Sequence, residues 1–375
     1  MTGRILLLGA TGFTGSLTAE QLVRQGERPL LLGRDTARLG DLAERLGDLE
    51  TRRADVIEPG VLRSVLNRGD VLVSTVGPFN RLGHAAVTAA IDAGAWYFDS
   101  CGEAPFIRRV FEHYGAAAER AGTGLVSGFG YDYVPGNLAG ALALEAAGPG
   151  AVRVDTGYFV TGGKPGPKLM TPGTAASLVG CLLESGFAWR DGVLREEPAG
   201  GRTRRFPLPT GRALAMSLGA SEHLALPRSY PGLRDVNVFL GWFGETTRPL
   251  SMMAAVFPFL ARIPGVRPAF RRLSERLAGS SSIGPDPIAV DTIRSHVVGL
   301  AYDRSGRQLA ESHLRGPNGY SITGALLAWG SARAAHEGLR GTGALGPVEA
   351  FGLDELRAAC ARIGLAEWVR ERRRS

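Results

Sequence analysis

Residues 4–15 read Arg-Ile-Leu-Leu-Leu-Gly-Ala-Thr-Gly-Phe-Thr-Gly, and no other stretch restricts the fold as much. The apolar run at 5–8 has the length of a fully buried strand. Gly9, Gly12 and Gly15 follow at three-residue intervals, and a helical pattern with Leu17, Leu22 and Val23 comes next. Strand, glycine turn and helix in that order open a dinucleotide-binding fold. Gly9 lets the chain turn tightly off the strand, Gly12 lets backbone N–H groups approach a pyrophosphate, and Gly15 lets the helix pack closely on the sheet. Thr11, Phe13 and Thr14 complete the cradle, and the helix N-terminus supplies unpaired donors and partial positive charge.

The second apolar run, 29–32, ends Gly33-Arg34-Asp35. An acidic residue at this strand tip accepts from a ribose 2′-hydroxyl, whereas an arginine grips a 2′-phosphate through two parallel charge-assisted bonds. Arg34 precedes Asp35, so the order favours NADP(H) over NAD. Asp35 has a second reading, as the N-cap of a helix starting near residue 36.

Apolar runs at 5–8, 29–32, 70–76, 95–98 and 124–127 read as buried strands, and 51–54 as a weaker one. Helical stretches near 13–25, 36–46, 58–68, 83–93 and 105–121 separate them. The expectation is an α/β protein: a doubly wound parallel (Rossmann) sheet over 1–130. A second α+β domain containing an antiparallel sheet follows over 131–321, with strand-like pieces at 152–160, 236–242 and 290–302. Helical patterns within 322–375 are expected to pack back on the first domain.

Composition narrows the function. Of 43 basic residues only Lys164 and Lys168 are lysines, and the net charge of +7 comes without a basic stripe interleaved with aromatics. Four arginines sit at the extreme C-terminus (370, 372, 373 and 374). Nucleic acid is therefore set aside as a partner. Three separated cysteines without a CxxC pair fit a reducing, cytoplasmic setting. Six histidines show neither HxH nor HxxxH spacing, so no metal site is expected. The stretch 249–266 is nearly all apolar and is followed by Arg267, Arg271, Arg272 and Arg276. It reads either as a peripheral membrane or lipid contact or as a buried helix pair broken at Pro258. A homodimer is left open.

Chemistry should sit beyond the carboxyl ends of the strands. Val76, Gly77 and Pro78, in the loop after the fourth strand, are expected beside the nicotinamide half of the cofactor. Asp55 either meets the adenine amino group or caps a helix. The loops 99–103 and 128–136 leave from the same edge. They offer Cys101, Glu103, Tyr131, Asp132 and Tyr133 as proton donors, with His84 nearby; each has an alternative reading as a cap or a packed side chain. A second-domain helix start at 171–177 could present free N–H groups to a substrate. A Tyr-x-x-x-Lys pair, which short-chain reductases need, is missing, because the positions four before the two lysines are Val160 and Lys164.

Together these segments resemble the saccharopine dehydrogenase-like reductases, including the trans-acting enoyl reductases. The matching pieces are Gly-Ala-Thr-Gly-Phe-Thr-Gly (9–15), Gly-Arg (33–34), Ser-Thr-Val-Gly-Pro-Phe (74–79) and Tyr-Phe-Asp-Ser-Cys-Gly-Glu (97–103). Gly-Phe-Gly-Tyr-Asp-Tyr-Val-Pro-Gly (128–136), Pro-Gly-Thr-Ala-Ala-Ser (172–177) and Gly-Pro-Asn-Gly-Tyr-Ser-Ile-Thr (316–323) match as well. The resemblance implies an NADP(H)-binding domain, an inserted α+β domain and a small-molecule or carrier-bound substrate. It implies NADPH-dependent reduction of an activated C=C, such as an enoyl thioester of lipid or polyketide type. Imine reduction, or an NADP-binding sensor without turnover, are the alternatives.

Overall fold

The computed structural model describes residues 3–58, 60–162, 185–209, 211–260, 265 and 292–368. The helix start expected at 171–177, residues 261–264 and 266 of the 249–266 stretch with its trailing arginines, Cys181 and the terminal arginines lie outside them. The chain divides into two compact units, 1–134 with 319–352, and 135–318 with 353–375.

The first unit is built on seven parallel strands. They are β1 (Ile5–Leu8), β2 (Leu30–Gly33), β3 (Thr51–Arg53), β4 (Val71–Ser74), β5 (Trp96–Asp99), β6 (Gly124–Val126) and β15 (Gly343–Ala344). Their order, β15-β6-β5-β4-β1-β2-β3, changes direction between β1 and β4, the crevice where doubly wound sheets bind ligands. β1 and β4 are buried on both faces, which is why their sequences are unbroken apolar runs rather than alternations. Helices α1 (Phe13–Arg24), α2 (Thr36–Arg45), α3 (Phe79–Ala93), α4 (Ala104–Arg109), α5 (Gly115–Ala121) and α6 (Val134–Ala147) follow along the chain. One π turn, Val110–Tyr114, links α4 to α5. The helix expected near 58–68 is instead a succession of turns.

The second unit has a mixed sheet. β7 (Arg153–Thr161), β8 (Ser185–Arg190), β9 (Val193–Pro198), β10 (Thr203–Leu208), β11 (Gly211–Ser217), β12 (Asp235–Gly241), β13 (Arg294–Tyr302), β14 (Gln308–Gly316) and β16 (Ala366–Glu367) form it. Along its main path the order is β10-β11-β12-β7-β13-β14-β16. Only β7 and β12 pair in parallel; the other pairings are antiparallel. The helices after α6 are α7 (Glu222–Ser229), α8 (Thr247–Leu260), α9 (Gly319–Glu337), α10 (Pro347–Phe351) and α11 (Leu353–Arg362).

Two expectations, the break at Pro258 and the place of the residues from Leu353 onward, need correction. α8 runs through Pro258 without a break, and its Met252, Met253 and Val256 are exposed. No described helix is long and apolar enough to cross a membrane. Residues from Leu353 onward group with the second unit rather than the first, because β16 pairs with β14. Their amphipathic pattern specified a buried face but not which sheet would cover it.

Inside the second unit α6 is apolar almost all round, the pattern of a helix with no solvent face. It lies so close to β13 that a Cβ on Gly299 would stand 2.3 Å from the Ala139 carbonyl oxygen. Gly299→Ala therefore forces helix and sheet apart and is expected to cost about 3 kcal/mol. Urea unfolding of the variant checks this; unchanged stability would contradict the close contact.

Candidate active site

The glycine turn is built as its spacing requires. Gly9 has φ +85°, a conformation a side chain resists. A Cβ on Gly15 would stand 2.1 Å from the Gly9 carbonyl oxygen, so only glycine lets α1 approach β1 this closely. The Gly9 N–H donates to the Leu32 carbonyl and the Gly12 N–H to the Gly9 carbonyl. Thr75 donates through Oγ1 to the carbonyls of Leu8 and Gly9, at 3.1 Å each, and so ties the loop after β4 to the turn. Gly12 is the N-cap of α1 and has no side chain to cap it. The first N–H groups of that helix are left for an anion. Thr11, Phe13 and Thr14 line this helix start, and the Phe13 ring meets Tyr320 of α9 edge-on at 5.2 Å.

At the tip of β2, Arg34 is exposed and has no hydrogen bond or ion pair among the described residues. Asp35 is the N-cap of α2, its Oδ1 accepting from the Arg38 N–H at 3.1 Å. It is thereby committed to the helix. Arg38 reaches back so that its Nη2 donates to the Thr11 carbonyl at 3.0 Å. Sequence reading missed this second guanidinium, because an arginine in the first turn of an exposed helix carries no signal of its own. Asp55 folds into a local turn, accepting from the Ile57 N–H. Val76 and Gly77 follow the strand end, and the Val76 side chain packs where a Cβ on Gly9 would go.

The proton-donor candidates separate clearly. Glu103 is buried and accepts from the N–H groups of Phe79 and Asn80, the first two residues of α3, at 2.8 and 2.9 Å. Its two oxygens stabilise a helix end. Cys101 is buried, with its Sγ accepting from the Glu103 N–H. Tyr133 donates to the Gly102 carbonyl, and Tyr131 is buried with its N–H on Thr323 Oγ1. His84 is engaged by Tyr114, Asn80 and Arg109, and burial together with the Arg109 charge lowers its pKa.

Asp132 differs from all of these. Its Oδ2 would lie 2.9 Å from a Cβ on Gly102, so the carboxyl rests against the loop after β5 and a side chain at 102 would displace it. It has neither a hydrogen bond nor an ion pair among the described residues and keeps some exposed surface. Desolvation pushes its pKa up to about 6.

One residue organises this rim. Asp99 is fully buried at the end of β5 and accepts from the N–H groups of Cys101 and Gly128 and from the Ser127 hydroxyl, at 2.7–2.9 Å. Burial still pushes its carboxyl up to about 6. No group of three or more metal-ligating side chains occurs among the described residues.

A parallel sheet with a 3-2-1-4-5-6 core order, a glycine cradle at the first helix and an arginine at the second strand tip define a dinucleotide-binding oxidoreductase fold. Residues 5–126 match the family description Saccharopine dehydrogenase NADP binding domain. A Mycobacterium tuberculosis protein provisionally named a trans-acting enoyl reductase is 30% identical over 374 residues, covering 86% of each chain. Among solved structures, Legionella pneumophila homospermidine synthase in complex with NAD aligns with a TM-score of 0.65 at 13% identity, over 99% of this chain and 92% of that one. Saccharopine dehydrogenase (L-Glu forming) of Saccharomyces cerevisiae aligns with a TM-score of 0.59 at 17% identity, over 98% and 99%. The chain belongs to the saccharopine dehydrogenase-like family of NADP-binding oxidoreductases, and its cofactor is NADP(H).

The residues present fit that cofactor: the cradle excludes side chains at Gly9 and Gly15, and Arg34 is an unneutralised cation. Arg34→Ala is expected to raise the Kd for NADPH about 10–100-fold, as the loss of a charge-assisted pair worth ~1.5–3 kcal/mol does, and to leave NADH nearly unaffected. Fluorescence titration with both cofactors checks this, and equal losses for the two would refute the assignment. Asp99→Ala strands three buried donors and should cost several kcal/mol. Asp99→Asn keeps the Oδ1 acceptor and should cost clearly less in the same thermal-unfolding assay.

Proposed function

We propose that the protein is an NADPH-dependent reductase of an activated C=C, with an enoyl thioester of lipid or polyketide type as substrate, free or carrier-bound. The single observation carrying this reading is the likeness, over 86% of both chains, to a protein provisionally named a trans-acting enoyl reductase. The lone Asp132 carboxyl on the cofactor-binding unit's rim supplies a chemical role that this reaction needs.

The glycine cradle and the α1 N-terminus would hold the diphosphate, Arg34 the 2′-phosphate, and the loop at 76–78 the nicotinamide half. The cofactor supplies a hydride equivalent, which reduces the carbon β to the thioester carbonyl. The displaced electron pair moves onto the thioester oxygen, and the α-carbon then needs a proton. Asp132 holds that proton on its carboxyl, and a pKa of about 6 keeps a usable fraction protonated near neutrality. Glu103, Cys101 and Tyr133 act by fixing the loops around it.

The pH dependence follows from the sign of the shift. The acid form is competent, so kcat/KM is flat below pH about 6 and falls about tenfold per unit above it. Asp132→Asn should lower kcat by about 10²–10⁴ and abolish that falling limb, because proton transfer from a positioned side chain contributes this much. Gly102→Ala, which displaces the same carboxyl, should lower kcat without changing the affinity for NADPH. Incubation with deuterium-labelled NADPH and a panel of enoyl thioesters and imines tests the reaction itself. Deuterium on the β-carbon of an enoyl thioester is the expected result. Transfer only to imines would overturn the C=C reading, and binding of NADPH without transfer to any substrate would count against catalysis.

A further inference from the structure

Within the second unit, one face of the mixed sheet carries two neighbouring surfaces. An apolar cluster of Phe159, Phe206, Phe239, Val298, Leu300 and Tyr302 fills part of it. The rest is charged. Register sets Arg153 opposite Asp235 and Tyr302, and Asp155 opposite Asn237 and Leu300. Directly paired residues share a face.

β10 curls over this face. Arg204 on β10 donates to the Tyr302 hydroxyl on β13, although β11, β12 and β7 lie between those strands in the sheet. Beneath the curl lies an open groove of about 530 Å³, lined by Arg153, Arg190, Arg202 and Arg204, by the carboxylates of Asp155 and Asp235, and by Phe239.

The charges do not balance. Asp155 is shared by Arg153 and Arg204, and its other contact is the Asn237 amide. Glu197 is shared by Arg190 and Arg202. Asp235 stands 3.6 Å from Arg190. Among the described residues four guanidiniums thus meet three carboxylates, a surplus of one positive charge. Nε of Arg153 and Nη2 of Arg190 make no close hydrogen bond: their carboxylate partners, Asp155 and Glu197, stand 3.5 Å away. Burial lowers the pKa of both Arg190 and Arg204.

The guanidiniums are also held in place. Arg153 lies 4.1 Å over the Tyr302 ring, and Arg202 lies 5.5 Å over Phe239. Stacking of this kind limits rotation and leaves the N–H forks fixed. Fixed forks and excess positive charge match an oxygen-rich anion gripped at more than one point. The volume is that of an organic ligand rather than an isolated ion.

We propose that this groove binds the phosphate of an organic phosphate ester, with the aromatic lining against its organic portion. The inference stands on the second unit alone and does not depend on the reductase reading. A phosphate ester could arrive as a free nucleotide or as the phosphopantetheine arm that carries a thioester, and both share the chemistry that the arginines recognise.

Calorimetric titration of the full chain, with NADP⁺ saturating the glycine cradle, tests it with two probes, pantetheine 4′-phosphate and adenosine 5′-monophosphate. Saturable binding of at least one probe is expected, weakened tenfold or more by Arg190→Gln, with NADP⁺ affinity unchanged. The tighter probe identifies the source. Arg202→Gln carries the same test if Arg190→Gln fails to fold. Binding of neither probe, or binding that both substitutions leave intact, would show the arginines to be a structural charge network and overturn the proposal.

Discussion

The buried carboxylate of Asp99 is the contact on which the cofactor-side rim depends. It joins the loop after β5 to the loop after β6 through two backbone N–H groups and one hydroxyl. Neither loop has regular hydrogen bonding of its own, so without this acceptor their donors would be stranded in a dry interior. Glu103 extends the same arrangement to the start of α3. Three strand ends are thus held by two acids, and a third acid, Asp132, has no hydrogen-bond or ion-pair partner among the described residues.

Much of the first unit was legible in the sequence, and for a physical reason. Strands buried on both faces must be apolar throughout, and the turn at 9–15 must be glycine, so local composition and global position carry the same message. The runs at 5–8, 29–32 and 95–98 match β1, β2 and β5 to within a residue. The second unit was harder. β9 is exposed or half-buried along its length, and β10 buries only Phe206 and Leu208 among charged neighbours such as Arg204 and Arg205, so no long apolar run marks either strand. The stretch at 58–68 has helical spacing but forms turns, since spacing records burial and not the hydrogen bonds that close a helix.

The site was legible in part. Gly9 and Gly15 could be read because a left-handed turn and a close helix approach demand glycine, a requirement that shows in residue type. Asp35 and Asp55 were ambiguous for the same reason: a carboxylate that caps a helix or turn and one that binds a ligand have the same residue type. Choosing among the rim acids needed three dimensions, because Glu103 and Asp132 differ only in what surrounds them. Arg38 and Thr75 were invisible, as both act on backbone carbonyls far away in sequence.

Glu103 also decides where negative charge is welcome. The first N–H groups of α3, which follows the end of β4 as α1 follows the end of β1, would be a second landing place for an anion. By placing its own carboxylate there, the protein fills that berth permanently. A negatively charged guest then meets repulsion at one helix end and attraction at the other, so the rim acquires a polarity that orients an asymmetric ligand before any side chain touches it.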